Sequence, residues 1–117
     1  MSLTKKQAQR IEKIALRYLG RKYRSRFRCQ DFVCAVYREV GISVPTRRHN
    51  VTREQLKNPP LGYVIYLKHK REREKPSTHM GIIVSGKRCI HNSYYFGKWV
   101  VITPLEELFK VYDLAMA

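Results

Sequence analysis

The chain has 117 residues, with 24 Lys and Arg against nine Asp and Glu, a formal net charge of +15. That length holds one modest core, since domains usually run to about 100–150 residues, so residues 1–117 are expected to form a single domain with no room for a second module. The charge excludes a cationic partner and points to a polyanion held by a salt-dependent field, whether nucleic acid, an anionic wall polymer or lipid headgroups.

Three cysteines, Cys29, Cys34 and Cys89, leave at least one unpaired, and their spacing matches neither a disulfide framework nor a zinc ribbon. The first residues, Met1 to Gln7, contain no apolar signal region, and no run approaches the ~20 residues of a membrane span. The expectation is a soluble protein made in the cytoplasm, without a signal peptide of its own. Carriage out of the cell by a phage or other particle is one route consistent with that.

Thr4 and Gln7 form a capping box, and Ala8, Ile11, Ala15, Tyr18 and Leu19 make an apolar stripe that Gly20 closes. The segment Arg21-Lys22-Tyr23-Arg24-Ser25-Arg26-Phe27-Arg28 is basic with two aromatics interleaved. It reads equally as a solvated loop with its rings on the core and as an anion-binding rim; Arg21, Lys22, Arg24, Arg26 and Arg28, with Arg47 and Arg48 further on, are the polyanion-binding candidates. A second helix opens at Cys29: Phe32, Val33, Val36, Tyr37 and Val40 recur at helical spacing, and Gly41 supplies the stop. Cys29 therefore lies in a first turn, where unpaired backbone N–H groups and the positive end of the dipole favour a thiolate, and Arg26 and Arg28 push the same way.

Ile42 to Pro45 reads as a short extended exit, residues 46–50 as a basic loop, and Thr52 with Gln55 as the cap of one short helix ended by Asn58-Pro59-Pro60. Leu61-Gly62 turns into a strand over residues 63–67, and Lys68 to Lys75 reads as an exposed hairpin tip or mobile loop. Residues 79–84 form a buried strand, Ser85-Gly86 a turn, and residues 87–92 the returning strand; Trp99 to Ile102 add another. Thr103 is expected to cap a final helix with Pro104 at its first position, and residues 111–114 to return as an edge strand. Helices first and consecutive strands later indicate an α+β fold with N-terminal helices packed on an antiparallel sheet.

A cysteine nucleophile needs a base within hydrogen-bond reach and a third group to orient that base. His79 begins one hairpin strand, and the loop length decides its partner. A two-residue loop places Asn92 directly across from His79, whereas a three-residue loop places His91 on the same face, one diagonal step away. Cys34 and Cys89 read as small buried hydrophobes, and His49 and His69, in basic loops, as exposed. A zinc site from Cys89, His91 and His79 lacks a placeable fourth ligand, so no metal and no cofactor is implied.

The order Leu19-Gly20-Arg21-Lys22-Tyr23, Cys29 to Val33, Leu61-Gly62 before a strand, His79-Met80-Gly81-Ile82-Ile83-Val84 and Ile90-His91 resembles the NlpC/P60 cysteine peptidases over most of the chain. The resemblance implies a papain-like core and hydrolysis of amide bonds in peptidoglycan stem peptides, commonly the γ-D-glutamyl link to a diamino acid. It makes Cys29 the nucleophile, His79 the general base and acid, His91 the orienting third member with Asn92 the alternative, and Tyr23 a tyrosine lining the site. The backbone N–H of Cys29, with Tyr23, would face the oxyanion. Arg28-Cys29-Gln30-Asp31 departs from the family's Asp-Cys-Ser-Gly, and Gly62-Tyr63 from its Gly-Asp. Two other functions use the same features: nucleic-acid binding through the basic surface with Tyr23, Phe27, Tyr94 and Tyr95, and acyl transfer or thioester hydrolysis on a lipid.

Overall fold

The computed structural model describes residues 3–43, 49–71 and 79–115. Helix α1 (Lys5–Leu16) starts at the expected capping box: Gln7 N–H donates to Thr4 Oγ1 at 3.0 Å and Thr4 N–H to Gln7 Oε1 at 2.9 Å. It ends before the anticipated Gly20. Arg17 and Tyr18 donate to the carbonyls three residues back, tightening the last turn, and Gly20 N–H instead bonds Val100 O at 2.9 Å. Ile14 joins Ala8, Ile11 and Ala15 on the buried face, while Leu19 is exposed.

Helix α2 (Cys29–Val40) buries Phe32, Val33, Val36 and Tyr37. Asp31 at its third position accepts the Arg28 N–H at 2.8 Å, and left-handed Gly41 ends it with its N–H on Arg38 O. The Thr52–Gln55 cap is present but encloses only a 3-10 turn, Arg53–Gln55. Residues 44–48 of the expected exit and basic loop lie outside the described residues, as do 72–75 of the expected hairpin tip.

Five strands follow: β1 (Val64–His69), β2 (His79–Val84), β3 (Arg88–Ser93), β4 (Trp99–Pro104) and, after the short helix α3 (Leu105–Leu108), β5 (Tyr112–Leu114). They form one antiparallel sheet in the order β4-β3-β2-β1-β5. Two expectations need correction here. Lys68 and His69 are strand, because β5 supplies a pairing edge (Lys68 with Asp113, His69 with Tyr112) that a local charge pattern cannot reveal. Thr103 and Pro104 belong to β4, and Pro104 rather than Thr103 precedes α3.

Strand alternation divides the core. Val64, Met80, Ile82, Val84, Ile90 and Val100 face α1 and α2, whereas Ile65, Leu67, Ile83, Cys89, Leu105, Leu108 and Tyr112 pack on the opposite side. Polar contacts also tie the helices to the sheet side. The Tyr37 hydroxyl donates to Gly62 O at 2.6 Å, and the Glu12 carboxylate accepts Ser85 N–H and Oγ–H at 2.6 and 2.7 Å, fastening α1 to the tip of the β2–β3 hairpin. Gly62 has φ +83° with Ala8 Cα 3.1 Å from where a Cβ would lie, so both conformation and room demand glycine.

Gly81, midway along β2, is required for space alone: a Cβ there would run into Cys89 Sγ and stand 3.0 Å from His91 Cβ and Ile90 O. Gly81→Ala is expected to lower the denaturation midpoint by an overpacking penalty of about 1–3 kcal/mol, and Cys89→Ala in the same chain to recover part of it. Equal midpoints for wild type and Gly81→Ala would show that the strand shifts freely to make room.

Candidate active site

The β2–β3 ladder pairs Val84 with Arg88 and Ile82 with Ile90, so three residues, Ser85-Gly86-Lys87, make the loop. Of the two registers open to the sequence, this one puts His91 on the face of His79. His79 Nε2 and His91 Nδ1 are 2.6 Å apart, and His91 Nε2 lies 2.8 Å from Thr103 Oγ1. Thr103 arrives there because it pairs with Cys89 across β3–β4 and points to the same face as His91. The hydroxyl expected to cap a helix instead completes a line of three buried side chains.

Asn92, the alternative partner, alternates to the other face. Its Nδ2 donates to Phe27 O at 2.7 Å, two residues before Cys29, while its Oδ1 is buried without a hydrogen-bond partner. Adjacent residues of β3 thus serve different walls, His91 the imidazole of His79 and Asn92 the loop that leads into α2.

α2 packs on β2 and β3 and brings its first turn to the start of β2. The backbone N–H groups of Met80 and Gln30 favour the anionic form of the Cys29 sulfur. Cys29 and His79 line one cleft of about 230 Å³ with Tyr23, His69, Tyr94, Tyr95 and Tyr112. The His79 ring stacks on Tyr112, centroids 5.0 Å apart and planes at 16°, and the edge of Phe96 meets His91. These contacts fix the imidazole planes as well as the hydrogen bond does.

Burial governs the titration of the site. It pushes the Cys29 thiol up from its ordinary value; the Met80 and Gln30 amides and the Arg28 charge oppose this without overcoming it, and Asp31 adds to the rise. The expected resting thiolate is therefore corrected. A helix N-terminus contributes about 0.3–1 kcal/mol, less than the cost of removing a sulfur anion from water. Burial, and then repulsion from His91, hold His79 well below the usual histidine range, and burial lowers His91 to about 4. The resting site is a neutral thiol beside neutral imidazoles.

The other sequence candidates divide. Tyr23 lines the cleft, held by its N–H on Lys98 O at 2.8 Å and edge-on to Tyr94. Phe27 is packed against Tyr18 and Phe32, and Arg21 lies over the Tyr18 and Phe27 rings at 5.2 and 4.9 Å. Arg28 stands 3.5 Å from Asp31, while Lys22, Arg24 and Arg26 are exposed; Arg47 and Arg48 lie outside the described residues. Cys89 is fully buried as expected, but Cys34 is only partly so.

Neither loop histidine is simply exposed. His49 packs between Tyr37 and Tyr63, and His69 lies between Tyr95 and Tyr112 in the cleft itself. Sequence reasoning missed His69 and Tyr112 as site residues, which only the β1–β5 pairing brings there, and singled out Tyr94 and Tyr95 for nucleic-acid binding alone.

Comparison with known proteins agrees with this architecture. The NlpC/P60 family model matches residues 16–112. The NlpC/p60 domain of the peptidoglycan hydrolase SagA superposes with a TM-score of 0.64 at 20% identity, over 93% of this chain and 98% of that one. A protein similar to lipoprotein, of the NLP/P60 family, from Staphylococcus aureus subsp. aureus Mu50 gives 0.56 at 21% identity, over 89% of this chain. This chain spans 43% of that protein's chain. No curated protein matches significantly. With the matched segment running from the end of α1 to the start of β5, the chain belongs to the NlpC/P60 family.

Proposed function

We propose that this protein is a cysteine hydrolase that cleaves amide bonds in peptidoglycan stem peptides, of the γ-D-glutamyl to diamino acid type, through Cys29, His79 and His91. The observation that carries this is the hydrogen-bonded line Thr103–His91–His79 ending in the cleft that also holds Cys29. Family membership and the likeness to a peptidoglycan hydrolase domain support the substrate class.

The tautomers follow from the chemistry required. For His79 to accept a proton at Nδ1, its own proton must be on Nε2, donated to His91 Nδ1; His91 then carries its proton on Nε2 and donates to Thr103 Oγ1. In this reading Cys29 Sγ attacks the scissile carbonyl carbon while its proton passes to His79 Nδ1. The negative charge on the carbonyl oxygen is met by the helix N-terminus, from the Cys29 N–H, with Tyr23 alongside. Collapse expels the amine, which takes the proton from His79. Water, activated by the same imidazole, then frees the acyl group from sulfur.

Because the resting pair is neutral, proton transfer accompanies attack instead of preceding it. His91 offsets the imidazolium that forms by accepting a hydrogen bond, and the new charge on His79 faces a substrate oxyanion in place of water.

Purified wall fragments should release new amino groups with wild type and lose at least about a hundredfold in rate with Cys29→Ala, folding being checked by its melting curve. Equal release by both, or by neither, would refute the assignment.

The pH dependence has a definite sign. Burial disfavours the thiolate, raising Cys29, and disfavours the imidazolium, lowering His79, so the active neutral pair persists from well below pH 6.5 to above 9. Hydrolysis should show a broad plateau across that span, and alkylation of Cys29 by iodoacetamide should still be climbing above pH 9. An alkylation plateau reached below pH 8 would establish a resting thiolate.

A further inference from the structure

Beside the Cys29 cleft lies a second, larger one of about 470 Å³, lined by His69, Lys70, Arg71, Tyr95, Lys110 and Val111. The two share His69 and Tyr95, which form the partition between them. Among the described residues lining either cleft there is no Asp or Glu, while Lys70, Arg71 and Lys110 surround the second. Among these described lining residues a ligand ammonium would find no counter-charge; Glu107, at Lys110, is not one of them. A carboxylate would find three cations.

We propose that this cleft is a subsite for a free carboxylate of the substrate, so that the enzyme selects acidic peptides by a group bound on the His69 side of the scissile amide. The inference rests on the hydrolase reading above for the position of that amide. The Arg71 backbone N–H donates to His69 Nδ1 at 3.1 Å, so the ring's own proton lies on Nε2, which is a donor. His69 is held between the rings of Tyr95 and Tyr112, at 5.0 and 5.6 Å, which orients it at the boundary of the two clefts.

The cations are placed by structure. Lys70 N–H bonds Val111 O at 3.1 Å, which joins the end of β1 to the turn that carries Lys110. Lys110 also contacts Glu107 at 3.0 Å, with side chains 69% and 49% exposed; so exposed a pair holds its lysine weakly and leaves it able to turn to a bound anion. Arg71 adds a planar fork suited to a carboxylate, and Tyr95, 61% exposed, forms an apolar wall for the adjoining methylenes.

The test compares kcat/KM for L-alanyl-γ-D-glutamyl-L-lysine with its fully amidated form, and with forms amidated at the glutamyl or the lysyl carboxylate alone. Wild type should prefer the free acid by roughly tenfold or more, the amount one charge-assisted contact supplies. In Lys70→Gln/Arg71→Gln, and to a lesser degree in Lys110→Gln, the ratio should approach one. Arg10→Gln, on the outer face of α1, should keep the wild-type ratio. Whichever single amidation abolishes the preference identifies the carboxylate bound. A wild-type ratio near one, or an equal loss in Arg10→Gln, would overturn the subsite while leaving the hydrolase reading standing.

If wild type cleaves none of these peptides, the hydrolase reading fails and the subsite is judged by binding to the Cys29→Ala protein. Tighter binding of the free acid, lost in the double variant, supports the subsite; equal affinities for acid and amide overturn it.

Discussion

The register of the β2–β3 hairpin is the constraint on which the site depends. Three loop residues between Val84 and Arg88 put His91, not Asn92, beside His79, and a loop one residue shorter would exchange them. The same parity directs Asn92 toward the loop before α2 and aligns Thr103 with His91 from the far side. Gly81 makes the arrangement possible at close range, since any side chain there would displace Cys89 or His91. The register is held from outside by Glu12, which grips the hairpin tip at Ser85 from α1. Hairpin, helix layer and chemistry are therefore not separable parts of this fold.

Burial, more than local charge, sets the protonation of Cys29, His79 and His91. A chain with a net charge of +15 would be expected to favour anions everywhere on its surface, including a thiolate. Cys29 escapes that because it is partly enclosed by the start of β2 and the tyrosines of the cleft, where desolvation outweighs even the neighbouring Arg28 charge. The positive surface acts instead at longer range, on whatever approaches. Attraction and reactivity are controlled by different physics in adjacent volumes.

Much of this was legible in the sequence. The capping box at Thr4 and Gln7, the helical spacing after Cys29, the Gly41 stop and the alternating strands were readable because each is a local rule with a local cause. The order of Cys29, His79 and His91 within family-like motifs was equally plain. What was not readable depended on partners distant in sequence. Thr103 looks like a helix cap until β3 is known to lie beside it, and Lys68 and His69 look like loop until β5 pairs with them. Tyr112 and His69 enter the cleft only through that pairing. The resting charge of Cys29 was misjudged because a helix terminus is visible in sequence and the depth of burial is not.

The segment from Gly20 to Tyr23 bears on how the molecule behaves in company. Its backbone bonds to Lys98 and Val100 along the outer side of β4, and on the opposite margin β5 is only three residues long. Among the described residues, neither border of the sheet offers a long row of open amides to a neighbouring copy, and mutual repulsion between strongly cationic molecules adds to that. Margins covered in this way work against strand-to-strand pairing between copies, even where molecules are crowded together.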